Sequence, residues 1–246
     1  MSQVFERRAP VAGAYISSGW GEAPVAFRVV NLFDRVWRLI LALPGSIVFC
    51  LRYLPPSQAA RLPILVAHGV ARHPLRGAVR LASPVRPGMV KIGFGYAPQF
   101  DWRRSRGVWR VTGQVVFNGS ADISHGAKIS GAGRLTVGDG VFLNAESSVH
   151  FAEEITIGSG SKISWLTFVT DTDAHSINRR SADEPVLIGE GSLVGAHSVI
   201  LKGVRLAPHT VVGAGSVVTR TLATQPGDLV AGNPARVVRR GVNWVR

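Results

Sequence analysis

Cysteine is nearly absent: the 246 residues hold one, Cys50. A single thiol cannot build an intramolecular disulfide framework or a multi-cysteine zinc site. It sits in an apolar run, where a buried and inert thiol is expected. Aromatic residues are sparse at 8%, so the core should be aliphatic. Charged residues reach only 17% against 46% hydrophobic, too much apolar material for a disordered chain. Long hydrophobic runs are scarce. The longest uncharged apolar stretch, Leu39 to Leu51, is interrupted by Pro44 and Gly45, and it falls short of the roughly 20 residues that a helix needs to cross a bilayer. No secretory signal is legible, since Glu6, Arg7 and Arg8 precede no clean apolar segment. The expected location is cytoplasmic, either free or peripheral at the inner membrane.

Acidic residues are also few. Fifteen Asp and Glu face 28 Lys and Arg, for a formal net charge of +13 that is mostly arginine. Such a surplus suits nucleic acid, an anionic membrane surface or a phosphorylated ligand, or else a solvated arginine-rich surface. No nucleic-acid-binding motif is present. Basic and aromatic residues interleave only over Trp102 to Arg110, which reads as a connector packed on the core. Nucleic acid is therefore not an expected partner.

What the chain does contain is punctuation, 28 Gly and 14 Pro, and a repeat. From Ile188, steps of six reach Val194, Ile200, Leu206, Val212 and Val218. Earlier triplets run Phe117, Ile123, Ile129; Val137, Leu143, Val149; and Ile157, Ile163, Val169. The step between triplets is eight, and from Val169 to Ile188 it is nineteen. Neither a 3.6-residue helical period nor simple alternation produces strict sixes over a hundred residues. Six residues make one short strand and a turn, and three such units close a triangular coil. The aliphatic residue points inward. Four positions on, Ser192, Ser198, Val204, Thr210 and Ser216 fit the tight corner. Every insertion follows a third hexad, so the insertions should stack at one corner. Fifteen hexads give about five coils.

The one long interruption, Thr170 to Leu187, carries Asp171-Thr172-Asp173-Ala174-His175. Acyl transfer to a hydroxyl needs a base for the hydroxyl proton and then an acid for the departing thiolate; one imidazole can serve as both. A polar loop built on Asp turns is the plainer alternative.

Asp-Thr-Asp-Ala-His-Ser-Ile, followed by Pro185-Val186-Leu187-Ile188-Gly189, resembles the active-site loop of the hexapeptide-repeat acyltransferases. With Ser164-Trp165 it looks closest to the O-acetyltransferases of surface-polysaccharide clusters. The resemblance covers most of residues 50–240. It implies an all-β, left-handed parallel β-helix, with acetyl-CoA or another acyl-CoA as co-substrate and no metal. It also implies a homotrimer, a saccharide or glycan acceptor, and direct transfer without an acyl-enzyme. It places the catalytic base at His175 and acceptor contacts at Asn144 and Asp173. Coenzyme contacts fall at Ala196, Ala214, Thr219, Arg220, Arg236 and Arg239, with Arg220 standing where lysine is more usual. The other histidines, among them His125, His150, His197 and His209, lack the paired spacing of a metal-binding set.

The expected organisation is a flexible tail over 1–28, a helical or irregular capping region over 29–110, the catalytic β-helix over 111–222 and a C-terminal extension over 223–246. Residues 29–54 suit an amphipathic helix, in one piece or two broken at Pro44-Gly45. That helix would either cap the open end of the prism or touch the membrane.

Overall fold

The computed structural model describes residues 25–72, 74–95, 100, 105–176 and 182–244. The expected tail over 1–28 lies largely outside them. Short β-branched runs, each ended by a glycine or polar corner, form strands of two to five residues that stack in parallel on three faces. On face A, Ile123, Leu143, Ile163, Val194 and Val212 lie directly above one another. Face B stacks Ile129, Val149, Val169, Ile200 and Val218. Face C stacks Phe117, Val137, Ile157, Ile188 and Leu206. These fifteen residues are the fifteen hexad positions, and all are buried. Burial of each aliphatic side chain contributes about 1.5–3 kcal/mol, which makes the stacks the main source of cohesion.

The corners are held by buried hydroxyls. Ser198 Oγ donates to the Gly213 carbonyl of the next coil at 3.0 Å, and Ser161 Oγ donates to that of Gly189 at 2.9 Å. Insertions do collect at one corner, between faces B and C, as at Ala132-Gly133 and Ala152-Glu153.

The prism begins earlier than the hexads indicate. Strands β1 (Ile64–Val66), β2 (Ala78–Leu81), β3 (Val90–Phe94) and β4 (Val108–Val111) pair in parallel below the first regular coil. The region 29–110 is thus not solely a cap, and the expected boundary at 111 cuts into β4. The sequence intervals between these strands are longer than in the hexad coils, while the strands themselves stay in register. At the other end, Leu229–Gly232 continues face A and pairs antiparallel with Ala235–Arg239, so part of the C-terminal extension closes the stack.

Helix α1 (Val25–Tyr53) is continuous through Pro44, not broken there. Its Ala42, Ser46, Phe49 and Cys50 are buried against β1 and β4. The Val66 amide donates to Ser46 Oγ at 2.8 Å, and Phe49 meets Trp109 edge-on with centroids 5.3 Å apart. The helix therefore caps the prism. By length and composition alone, its segment Val36–Tyr53 is also long and apolar enough to cross a membrane. This corrects the expectation drawn from the shorter uncharged run.

Candidate active site

The long loop leaves the prism at the B/C corner. Asp171, at its root, is fully buried. Its carboxylate accepts the Ala152 and Glu153 amides of the coil below, at 2.7 and 2.9 Å. The carboxylate thereby satisfies the two N–H groups that the two-residue insertion there turns away from a strand partner. Above the root, the two legs of the loop pair: Thr172 bridges Asp183, and the Asp173 amide donates to Ala182 at 2.9 Å. Lys202, one coil up, ties both legs. Its Nζ lies 2.6 Å from Asp173 Oδ2 and donates to the Ala182 carbonyl at 3.1 Å.

Ala174 is then held in the left-handed region, φ 60°, with its amide donating to Thr172 Oγ1 at 2.9 Å. A non-glycine residue there is uncommon, and such strain concentrates at functional positions. The next residue, His175, projects into solvent. An exposed imidazole on a lobe fixed by a buried carboxylate and an ion pair can accept a proton from an incoming hydroxyl and return it to a leaving group.

Glu184, on the returning leg, pairs with Arg220 of the uppermost coil. Gly203 lies between them with φ 71°, and a β-carbon there would meet the Glu184 carboxylate at 2.5 Å. Glycine adopts this left-handed conformation without strain, and a larger residue there would also have to displace the Glu184 carboxylate. Thr219 stands at the same corner, its hydroxyl 3.0 Å from that of Thr221.

The A/B corner gathers a second group. Asn144 Oδ1 accepts the Ala145 amide at 2.8 Å, leaving its NH2 without a partner among the described residues. Ala196 and Ala214 stack further up, joined by a 2.8 Å bond from the Gly215 amide to the Ala196 carbonyl. Arg236 and Arg239 are exposed on the C-terminal hairpin. The fold therefore places Asp173, His175, Thr219 and Arg220 at one margin of face B, and Asn144, Ala196 and Ala214 at the other. It does not bring Asn144 and His175 to the same corner of one chain.

Among the described residues no cluster of His, Cys, Asp and Glu could hold a metal. His125 is buried, which lowers its pKa, and the nearby Glu146 opposes this only in part. His150 is exposed, with Nδ1 3.1 Å from Ser130 Oγ.

A family model described as bacterial transferase hexapeptide (six repeats) matches residues 185–220. WcaF of Escherichia coli strain K12, named for acetyl transfer in colanic acid biosynthesis, is 30% identical over 152 residues. That match spans 61% of this chain and 81% of WcaF. The chain belongs to the hexapeptide-repeat acyltransferase family. It is an acetyltransferase of that family, and its β-helix is left-handed. Two solved structures are also similar to the acyltransferase. The polysialic acid O-acetyltransferase OatWY gives a TM-score of 0.45 at 19% identity, over 70% of this chain and 90% of its own. AntD, an N-acyltransferase of Bacillus cereus solved with dTDP and 3-hydroxybutyryl-CoA, gives 0.43 at 17%, over 72% and 79%.

Two residues that organise the acyltransferase's loop, Lys202 and Glu184, escape a linear reading. Lys202 follows the hexad position Ile200 by two, so nothing local marks it. Stacking the hexads into coils puts it directly above the loop, and that register is the signal that could have found it.

Proposed function

We propose that this acetyltransferase moves an acetyl group from a coenzyme A thioester to a hydroxyl of a saccharide or glycan precursor, with His175 as general base. The observation that carries the reading is the exposed imidazole of His175, on a lobe anchored by Asp171 and by the Asp173–Lys202 pair. The relation to WcaF supports acetyl transfer and a saccharide acceptor. His175 takes the acceptor proton as the hydroxyl oxygen attacks the thioester carbonyl. The C–S bond breaks, and the proton passes to the leaving thiolate. Asp173, held by Lys202, sets the lobe's position and lies beside the acceptor. Asn144 uses its free NH2 to orient a sugar hydroxyl.

The small Ala196 and Ala214 leave room for a pantetheine arm along the A/B corner, with Thr219 at the opposite margin. Arg236 and Arg239 suit the nucleotide phosphates. Arg220, already paired with Glu184, acts mainly through the loop. Transfer is direct: Cys50 is fully buried on the inner face of α1, its Sγ 3.4 Å from the Ile64 carbonyl, and burial raises its pKa. Such a thiol is a poor nucleophile.

A homotrimer completes the site. Asn144 and His175 stand at opposite margins of face B, and a groove between two prisms would bring one margin of each copy together. The test is thiol release from acetyl-CoA against a panel of glycans and amino sugars, alongside sedimentation. Hydroxyl-dependent release with intersecting initial-rate lines is expected. Release with amino sugars alone, parallel lines, or a fully active monomer would each overturn the corresponding part.

A further inference from the structure

Helix α1 is apolar on the wrong side. Its inner face is accounted for by Ala42, Ser46, Phe49 and Cys50. At 100° per residue, the exposed positions from 36 to 51 other than Leu39 sweep an arc of roughly 160° on the opposite side. Val36, Trp37, Ile40, Leu43, Ile47 and Leu51 are among them, and no charged side chain interrupts the arc. Trp37 is 51% exposed and Leu51 63%. Nine of the thirteen large apolar side chains exposed among the described residues lie on this one helix. A contiguous patch of this kind marks an interaction surface.

The charge around it selects the occupant. Residues 35–100, which contain the helix from Arg35 onward and the first strands, hold nine Arg and Lys and no Asp or Glu, and Asp34 is the one acidic residue of the helix. Arg52, Arg61, Arg76, Arg80 and Arg86 are exposed. A second copy brought against this face would set one acid-free cationic surface against another. A surface that is apolar in the middle and negative around the rim meets both demands at once, and an anionic bilayer is such a surface.

We infer that the outer face of α1 docks on an anionic lipid bilayer. The helix lies in the interfacial plane while its inner face stays bound to the prism. It does not cross, because the Ser46 and Cys50 contacts to β1 hold it against the first coil. The inference is independent of the catalytic reading: it would survive the loss of any role for His175.

Flotation of the full chain with vesicles tests it. Phosphatidylcholine vesicles containing about one-third phosphatidylglycerol should carry the protein upward, and pure phosphatidylcholine vesicles should carry about tenfold less. The triple variant Ile40→Ser, Ile47→Ser, Leu51→Ser should lose binding to both while keeping its melting curve and sedimentation coefficient. A second variant, Arg76→Gln with Arg80→Gln, should weaken only the anionic arm. Three results would overturn the inference. The first is no flotation of the wild type. The second is equal flotation of the triple variant. The third is a smaller sedimenting species for that variant, which would make the face an interface between copies.

Discussion

The two halves of this acyltransferase treat charge in opposite ways. Residues 35–100 carry nine cations and no carboxylate; residues 111–222 carry eight cations and ten carboxylates. In the second region the carboxylates have local work. Glu146 pairs with Lys128, Asp173 with Lys202 and Glu184 with Arg220, while Asp171 and Asp139 accept backbone amides. The basic surplus of the whole chain is therefore not a property of residues 111–222. Most of it resides toward the capped end, beside an outward apolar helix. A net charge taken over 246 residues averages away a segregation that the fold makes plain.

Four tests would break or sharpen that contrast. The largest effect is expected in the prism's loop. His175→Ala should lower acetyl-CoA turnover about a thousandfold with little change in melting temperature. Activity within a few-fold of wild type would remove the lobe from the chemistry. Next, Ile157→Ala in the face C stack should cost about 2–5 kcal/mol in urea unfolding. Leu51→Ala on the cap's outer face should stay within about 0.5 kcal/mol. Similar costs at both sites would mean that the helix face is covered in the free protein.

Smaller again, Lys202→Met should lower kcat about tenfold by releasing both legs of the loop, with KM for acetyl-CoA little moved. Lys202→Arg should restore part of the rate, and a change confined to KM would place Lys202 in coenzyme binding instead.

The smallest effect concerns His125, where the cap meets the prism. Burial, with the Arg38 guanidinium nearby, lowers its folded pKa below the ordinary 6.5. Its contribution is therefore present above the unfolded value and is lost as pH falls through the folded one. Stability measured by denaturant between pH 7 and pH 5 should fall more steeply for wild type than for His125→Gln. Equal slopes would show that the imidazole is solvated.

How far the sequence disclosed this structure also follows the division. Above Phe117 the coils repeat short corners, so steps of six or eight, with one of nineteen across the long loop, land on one inward residue of each strand from Ile123 to Val218. Below it, Ile92 and Trp109 occupy consecutive faces but stand seventeen residues apart. Periodicity cannot see through such an insertion, and Trp109, taken as part of a connector, proves to be the buried wall of the first face B strand. The loop and His175 were visible because they interrupt a regular pattern. Their anchors were not, since the contacts of Asp171 with Ala152 and of Asp173 with Lys202 exist only once coils are stacked. The outward face of α1 was hidden for another reason. The pattern of apolar residues shows that a helix has faces, but not which of them the prism takes.

The B/C corner accepts two residues at Ala132-Gly133, two more at Ala152-Glu153 and a whole lobe after Thr170, while Val137, Ile157 and Ile188 remain in one unbroken column. Chain length at that edge is thus mechanically uncoupled from the register of the stack. A graft that exchanged 172–183 for a lobe of another size and chemistry would leave every inward contact in place. The molecule separates the part that holds the stack together from the part that can change in length and chemistry, and it does so along a single edge.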